Sequence, residues 1–491
     1  MRLPSLLLAA VSVPFTLAIR RDAQSTFSID AEHSDWDKTP HSDVTGNLIF
    51  NSVVDVLQLW PNSLHRHGHS LVAATIPAGT VLYHGRSRET VPDEPDWLAF
   101  DFEHAYLFAR GNNGHVLSFM TSRALKIVYI DGAGAAKIDD GSMDSQDIIA
   151  WRGVHPEYTW KERERIRELC KWASGVHIDG FVRQEFHFEL MQCDFSDGLD
   201  LITSLDVVPS AGGPRGWKGS LPTASFEQAT VAGKWHDRLP GETRVQVDLS
   251  GFVSFYDPAL TSLVEARRGQ RRAQHRLLNI STADIDTKMA ELENVLTRAT
   301  PEHPSGVDWK SVTHVIVDRY ADRLKRLERT LGSATSRAVA VSARNQLLIM
   351  LEPYLSRDSV PSDDGSKDWL GPVVYRCAAS ATSYIPVDLL TEQERLILAS
   401  VDQTLHEICR RLARMWEVAF DVEEAETEEI DATIQSLRRE TIELVLWLDW
   451  SIWVKCRPAC AEDEMCYIPM WPFGGADPDD MTPRCLPYPS Q

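Results

Sequence analysis

Past its N-terminal residues, the chain lacks any apolar run near the roughly 18–20 residues that a membrane helix needs. It is also short of basic residues, with 50 Lys and Arg against 71 Asp and Glu and a formal net charge of −21. That balance excludes a nucleic acid held by phosphate neutralisation. It argues equally against an anionic membrane surface and for a soluble, self-repelling chain. No Cys-x-x-Cys pair occurs, which argues against a zinc site among the cysteines.

What is present at the start is Met1-Arg2 followed by Leu6-Leu7-Leu8-Ala9-Ala10-Val11 and then Phe15-Thr16-Leu17-Ala18. One basic residue, a short apolar core and a small exit residue describe a secretory signal peptide. The expectation is a secreted, extracellular protein cleaved near Ala18, with Arg20-Arg21 as a processing site or a solvated stub. In an oxidising compartment the eight cysteines are expected to form four disulfides. Cys170 and Cys193 fall in one region, Cys377 and Cys409 in another, and Cys456, Cys460, Cys466 and Cys485 crowd the end. Asn279-Ile280-Ser281 is a glycosylation sequon.

The length suggests two or three domains. The expected order is a signal peptide over 1–18, a poorly ordered segment over 19–44 and an α+β domain over 45–207. A linker and extended segment follows over 208–280, then an α-helical domain over 281–455 and a Cys-rich cap over 456–491. Apolar residues from Leu48 to Trp60 recur at helical spacing, and Pro61-Asn62 is expected to stop that helix. Strands are expected at Thr80–His84, Trp97–Phe100, His115–Met120 and Ala124–Ile130. A charged helix runs from Trp160 to Trp172. From Gly180 to Met191 the pattern alternates, with Phe186, Phe188 and Leu190 on one face and Glu185, His187 and Glu189 on the other. A Cys170–Cys193 bond would tie the charged helix to this last strand.

The helical half is marked by Trp309, Val312, Ile316, Tyr320, Leu324, Leu327 and Leu331. Thr391 and Glu394 form a capping box ahead of Leu398, Val401, Leu405, Ile408, Leu412 and Met415. Ile430 to Leu448 carries a matching seam, so the two helices should pack as an antiparallel hairpin. Trp447, Trp450 and Trp453 are read as core. The C-terminal segment has too few apolar residues to fold without its disulfides.

Two further clusters stand out. His65, His67 and His69 alternate, which would put three imidazoles on one face of an extended segment and suit a metal. With no carboxylate nearby in sequence, a solvated loop is the preferred reading. Arg267-Arg268-Gly269-Gln270-Arg271-Arg272 is read first as a solvated turn, with a protease-sensitive loop or an anion contact as alternatives.

Chemistry is sought in the first domain. Leu82-Tyr83-His84-Gly85-Arg86 ends a strand, Trp97-Leu98-Ala99 forms another, and Ala105-Tyr106-Leu107-Phe108 follows on a short helix. With the late strand bearing Glu185 and Glu189, this order resembles the ADP-ribosyltransferase-like fold of the diphtheria-toxin and poly(ADP-ribose) polymerase type. The resemblance implies NAD as substrate. His84 and Gly85 would hold the nicotinamide ribose, Trp97 or Tyr106 would stack on nicotinamide, and Glu189, with Glu185, would stabilise the ribosyl cation. Two departures are Arg86, where that family has Thr or Ser, and the absence of a Glu-x-Glu pair on the late strand. As one strand, Glu185 and Glu189 would lie about 13 Å apart, too far for a glycosidase pair.

The whole chain also resembles a group of secreted filamentous-fungal proteins. Leu82–Arg86, Asp179-Gly180-Phe181-Val182-Arg183, Trp450-Ser451-Ile452-Trp453-Val454-Lys455-Cys456 and Met470-Trp471-Pro472-Phe473-Gly474 carry that resemblance, which supplies no activity. Two functions therefore stand: an NAD-dependent transferase or glycohydrolase with a protein or small-molecule acceptor, and a non-catalytic secreted interaction or effector-like protein.

Overall fold

Alternating apolar residues need two cores to bury both faces of a sheet, and the chain supplies both. The computed structural model describes residues 36–468 and 482–487, apart from 42, 110–112, 139–140, 186, 208–240, 299–304, 358, 360 and 362–367. Its centre is a curled, mixed nine-stranded sheet. The strands are β1 (Ser70–Ile76), β2 (Val81–Arg86), β3 (Asp96–Ala99), β4 (His115–Thr121), β5 (Leu125–Ile130), β6 (Gly180–Gln184), β7 (Phe188–Gln192), β8 (Leu199–Asp206) and β9 (Gln246–Ser254). They lie in the order β8-β4-β2-β3-β7-β6-β5-β1-β9. The β5–β6 pair is parallel, and the other neighbours are antiparallel.

One face carries Val72, Ile127, Tyr129, Val182, Leu190 and Phe252 into a core shared with the helical half. The facing helices are α1 (Gly46–Val54), α8 (Trp309–Ser333) and α11 (Glu392–Val418). The opposite face sends Leu71, Val128, Ile130, Phe181, Met191 and Val253 into a second core. Covering it are α4 (Asp144–Trp151), α5 (Glu162–Val176), α6 (Thr261–Arg267) and α7 (Thr282–Thr297). The shorter elements are α2 (Leu59–Leu64), α3 (Phe102–Tyr106) and α10 (Gly371–Ala378), and the helical half is completed by α9 (Arg337–Leu351) and α12 (Thr427–Leu448). A small hairpin of β10 (Glu464–Tyr467) and β11 (Arg484–Pro487) forms the described part of the C-terminal cap.

The helical half follows its sequence signals closely. The Thr391 hydroxyl accepts from the Glu394 amide, and the Glu394 carboxylate accepts from the Thr391 amide, closing the capping box of α11. Glu394 also accepts from the Trp309 indole at 3.1 Å, so the cap joins two helices. After a short link α12 returns along α11, with Thr441 donating to Met415 Sδ at 3.3 Å. Trp450 is buried, and the Trp453 indole donates to the Ala321 carbonyl at 3.1 Å. Four disulfides are formed, Cys170–Cys193, Cys377–Cys409, Cys456–Cys466 and Cys460–Cys485, and no described cysteine is free.

Several expectations change. Pro61 does not stop the first helix; that helix ends at Val54, the chain turns through Leu57 in left-handed backbone, and Pro61 sits in the first turn of α2, where a missing amide costs nothing. The segment 180–191 is not one strand. Gln184 pairs with Phe188, so the chain reverses between them and forms two adjacent antiparallel strands. Gln246–Ser254, within the span read as linker and extended segment, is an edge strand of the sheet, while 208–240 lies outside the described residues, as do the signal peptide and the Met470–Gly474 motif. Trp36, in the segment read as poorly ordered, packs on the main core, and Asp37 pairs with Arg410 at 2.9 Å. The basic run divides: Arg268 pairs with Asp43 at the surface, whereas Arg267 is buried and Arg272 reaches inward to Asp55.

Candidate functional site

The reversal between β6 and β7 creates the site. It carries Glu185 back beside Glu189 instead of extending the two apart. Pairing of Ala99 with Glu189, of Arg183 with Glu189 and of Tyr83 with Ala99 places these four residues on one face of the sheet. The short helix α3 lies on that face. It comes so close to β2 that a Cβ at Gly85 would fall 1.7 Å from the Ala105 carbonyl oxygen. That approach delivers His104, whose Nε2 lies 3.2 Å from a Glu185 carboxylate oxygen. Ligand-capable atoms of His104, Glu185 and Glu189 all lie within 4.8 Å of one another. Their exposures are 0%, 6% and 4%, so the cluster is desolvated.

Surrounding charges hold these groups. Arg183 donates to Glu189 from Nε at 2.8 Å, and its Nη2 lies 2.7 Å from the same carboxylate oxygen. The same guanidinium pairs with Glu162 on α5 and donates to Gln146 on α4 at 2.8 Å. His187 lies 2.7 Å from Asp101, the residue before α3, so the reversal and the helix carrying His104 are pinned together. Burial pushes the Glu189 carboxyl above the usual range, Arg183 opposes this and Glu185 adds to it. Burial pulls His104 down, but its bond to Glu185 and the nearby carboxylates outweigh that and raise its pKa. Glu162 is buried too, yet Arg183, Lys137 and Arg165 hold it well below its ordinary value.

The expected site residues are only partly brought together. Glu185, Glu189 and Trp97 converge, with the Trp97 ring stacked on His104 at 5.8 Å and edge-on to Phe108 at 4.5 Å. Tyr106 stands half-buried at the rim with Tyr83 and Phe102. His84 does not join the carboxylates. Strand alternation points it toward the other face, with Leu82 and Leu98, where its ring meets Phe195 at 5.8 Å, while its ring also stands edge-on to that of Trp97 at 5.3 Å. Its Nδ1 donates to the Trp97 carbonyl at 2.7 Å, and its Nε2 lies 3.7 Å from Asp96. Burial lowers its pKa against the pull of Asp96. Gly85 is required by the approach of α3.

Sequence reasoning missed His104, Arg183, Glu162 and Asp101. Arg183 stood inside a motif already singled out, and His104 directly before one. His104, the central residue of a five-residue helix, would have been found by asking what an ionisable residue does where neighbours demand burial.

The histidine loop is packed, not solvated. His65, His67 and His69 line a small cavity of about 10 Å³ with Asp131, Tyr256 and Arg272, and the ring of His69 stacks on Tyr256 at 4.2 Å. Burial, followed by Arg272 beside His65 and Arg267 beside His69, pushes both histidines well below their ordinary pKa. A wider groove of about 860 Å³ opens beside Cys170–Cys193, away from the carboxylates.

Residues 42–115 and 109–212 match the family model of the YPL277C N-terminal domain, a span that holds every residue of the carboxylate cluster. The chain is 24% identical over 536 residues to the uncharacterized protein YOR389W of Saccharomyces cerevisiae, covering 88% of this chain and 82% of that protein. It is 31% identical over 211 residues to the uncharacterized protein YPL277C of the same yeast, covering 33% of this chain and 43% of that protein. No solved structure matches.

Proposed function

We propose that the protein is a secreted enzyme that breaks the nicotinamide N-glycosidic bond of NAD, on an ADP-ribosyltransferase-like domain. The observation that carries this reading is a desolvated carboxylate pair with a histidine, beside a half-buried aromatic group of Tyr83, Trp97, Phe102, Tyr106 and Phe108. Breaking the bond leaves the electron pair on the nicotinamide nitrogen and positive charge on the ribose. A low-dielectric carboxylate stabilises that charge. Glu185 takes this role and His104 orients it. Glu189, held by Arg183, is the second carboxylate. Trp97 offers the face on which the flat ring stacks. Water or an acceptor nucleophile then adds to the ribosyl carbon and gives up its proton to solvent. The four disulfides support an oxidising compartment, and exposed Asn279 fits a glycan.

The test is NAD turnover by the full chain and by Glu185→Gln. Loss of an electrostatic stabiliser is expected to cost about 10²–10³ in rate. Equal rates, or no turnover by the wild type, would reject the reading.

The position of His84 favours a second reading, a non-catalytic secreted interaction or effector-like protein. Its engagement with the Trp97 carbonyl and Asp96 serves the sheet, and the Arg183–Glu189–Glu162 network would then serve only to join β6, β7 and α5.

A further inference from the structure

We propose that His104, Glu185 and Glu189 form a binding site for one divalent transition-metal ion of the zinc, cobalt or manganese class. The three donors come from separate places in the chain. His104 is on α3, Glu185 lies in the reversal after β6, and Glu189 is on β7. Each is more than nine-tenths buried. Metal bonds to nitrogen and carboxylate oxygen run about 2.0–2.2 Å, so cis ligands sit roughly 3.0–3.5 Å apart. His104 Nε2 and the Glu185 oxygen, at 3.2 Å, already have that spacing. All three donors lie within 4.8 Å of one another, so a modest approach of the Glu189 carboxylate completes the set.

Donor chemistry chooses the class of ion. One imidazole with two carboxylates suits zinc, iron, cobalt or manganese, whereas calcium takes 6–8 oxygens and magnesium keeps mostly oxygen and water. Three protein ligands leave at least one coordination position for water or a substrate oxygen.

The surroundings are those of a supported metal site. Arg183 fixes Glu189 by a hydrogen bond and an ion pair and is itself held by Glu162 and Gln146. The Trp97 ring lies at 22° to the imidazole plane of His104, which sets the direction of Nε2. The Asp101–His187 pair locks the helix to the reversal. Such outer contacts orient ligands and raise affinity. Charge points the same way. Two desolvated carboxylates this close repel, and a divalent ion between them removes the repulsion while leaving Arg183 in place.

The inference stands apart from NAD chemistry. An ion on Glu185 would compete with a ribosyl cation for the same carboxylate, so the metal-loaded and NAD-cleaving forms would be alternatives. Metal-free full-length protein with its disulfides intact is titrated with Co2+ and followed by visible d–d absorption. One equivalent is expected to bind, and His104→Gln and Glu185→Gln should each weaken binding at least tenfold. A second measurement needs no variant: Cu2+ electron paramagnetic resonance of the wild type at one equivalent should show hyperfine coupling to a single imidazole nitrogen. Absence of a d–d band, binding that survives His104→Gln, or coupling to two or three nitrogens abolished by His69→Gln would each overturn the proposal. The last result would move the ion to the His65–His69 cavity. Neither measurement uses NAD, so failure here and failure of the glycosidic reading are separately visible.

Discussion

Replacing Gly85 with Ala separates two explanations of the His84-Gly85 pair. If the glycine exists so that a ligand can approach the backbone, an added methyl group harms binding and leaves folding alone. The structure argues otherwise. A Cβ at Gly85 would lie 1.7 Å from the Ala105 carbonyl oxygen, 2.7 Å from its carbon and 3.1 Å from the Ala109 amide. All three are backbone atoms, so no side-chain rotation relieves the clash. Helix α3 must retreat by about 1.5 Å to restore van der Waals contact, and overpacking of this kind costs about 1–3 kcal/mol, occasionally more. His104 sits one residue from the clash, and its 3.2 Å bond to Glu185 opens as the helix moves. Breaking a buried pair adds to the loss, so the upper end, about 3 kcal/mol, is expected. Urea unfolding of wild type and Gly85→Ala reads this as a lower midpoint at constant slope. Gly175 is the control. It lies inside α5, and a methyl group placed on it would have nothing within 4 Å, so Gly175→Ala should stabilise by about 0.5–1 kcal/mol. If Gly85→Ala unfolds within about 0.5 kcal/mol of wild type, the packing explanation is wrong.

Asp131 is pushed up to about 6, chiefly by burial and against the amides of Ser70 and His69. An acid whose folded pKa exceeds its unfolded value holds its proton more tightly when folded. Its contribution therefore weakens stability as pH rises from about 4 to about 6, by ~3 kcal/mol in all, and changes little above that. Asp131→Asn should flatten this slope in unfolding free energies taken across that window; a slope identical to wild type would show that Asp131 titrates normally. Removing the Cys377–Cys409 bond by a double alanine replacement frees a loop of sequence separation 32, which the chain-entropy account values at about 3–4 kcal/mol. Calorimetry showing an unchanged melting temperature would mean that the helical half is held by packing alone.

Legibility in the sequence followed the range of the interactions. The capping box at Thr391 and Glu394 is closed within four residues, so residue types and spacing were enough to place the start of α11. The seam of α8 was equally clear, because Ile316, Tyr320, Leu324, Leu327 and Leu331 are all buried at helical spacing. Strands β2 to β5 were placed nearly to their ends. The Leu57 break was hidden, since apolar residues continue through it and a left-handed leucine has no signature in the sequence. Strand β9 was hidden because it joins the sheet only through pairing with β1, far away in the chain. The face on which His84 points depends on β2 pairing with β3 and β4, which no single motif declares.

The carboxylates show most sharply why a local pattern can be right about residues and wrong about distance. Alternation from Gly180 to Met191 has period two whether the chain runs straight or turns back, because each arm of a hairpin keeps that period. A straight reading separates Glu185 from Glu189 by about 13 Å and removes them from the two-carboxylate chemistries. The reversal between Gln184 and Phe188 brings their ligand-capable oxygens within 4.8 Å of each other and of His104. The stabilising reason for that reversal is itself long-range. Asp101 holds His187, Ala135 donates to the Gln184 carbonyl at 2.9 Å, and Arg183 needs both Glu189 and Glu162. The chemistry of the site is therefore set by a turn whose anchors lie just after β3, on α5 and in the loop after β5. Glu185 is bonded to His104, 81 residues earlier in the chain, and not extended along the strand to which its alternating pattern assigns it.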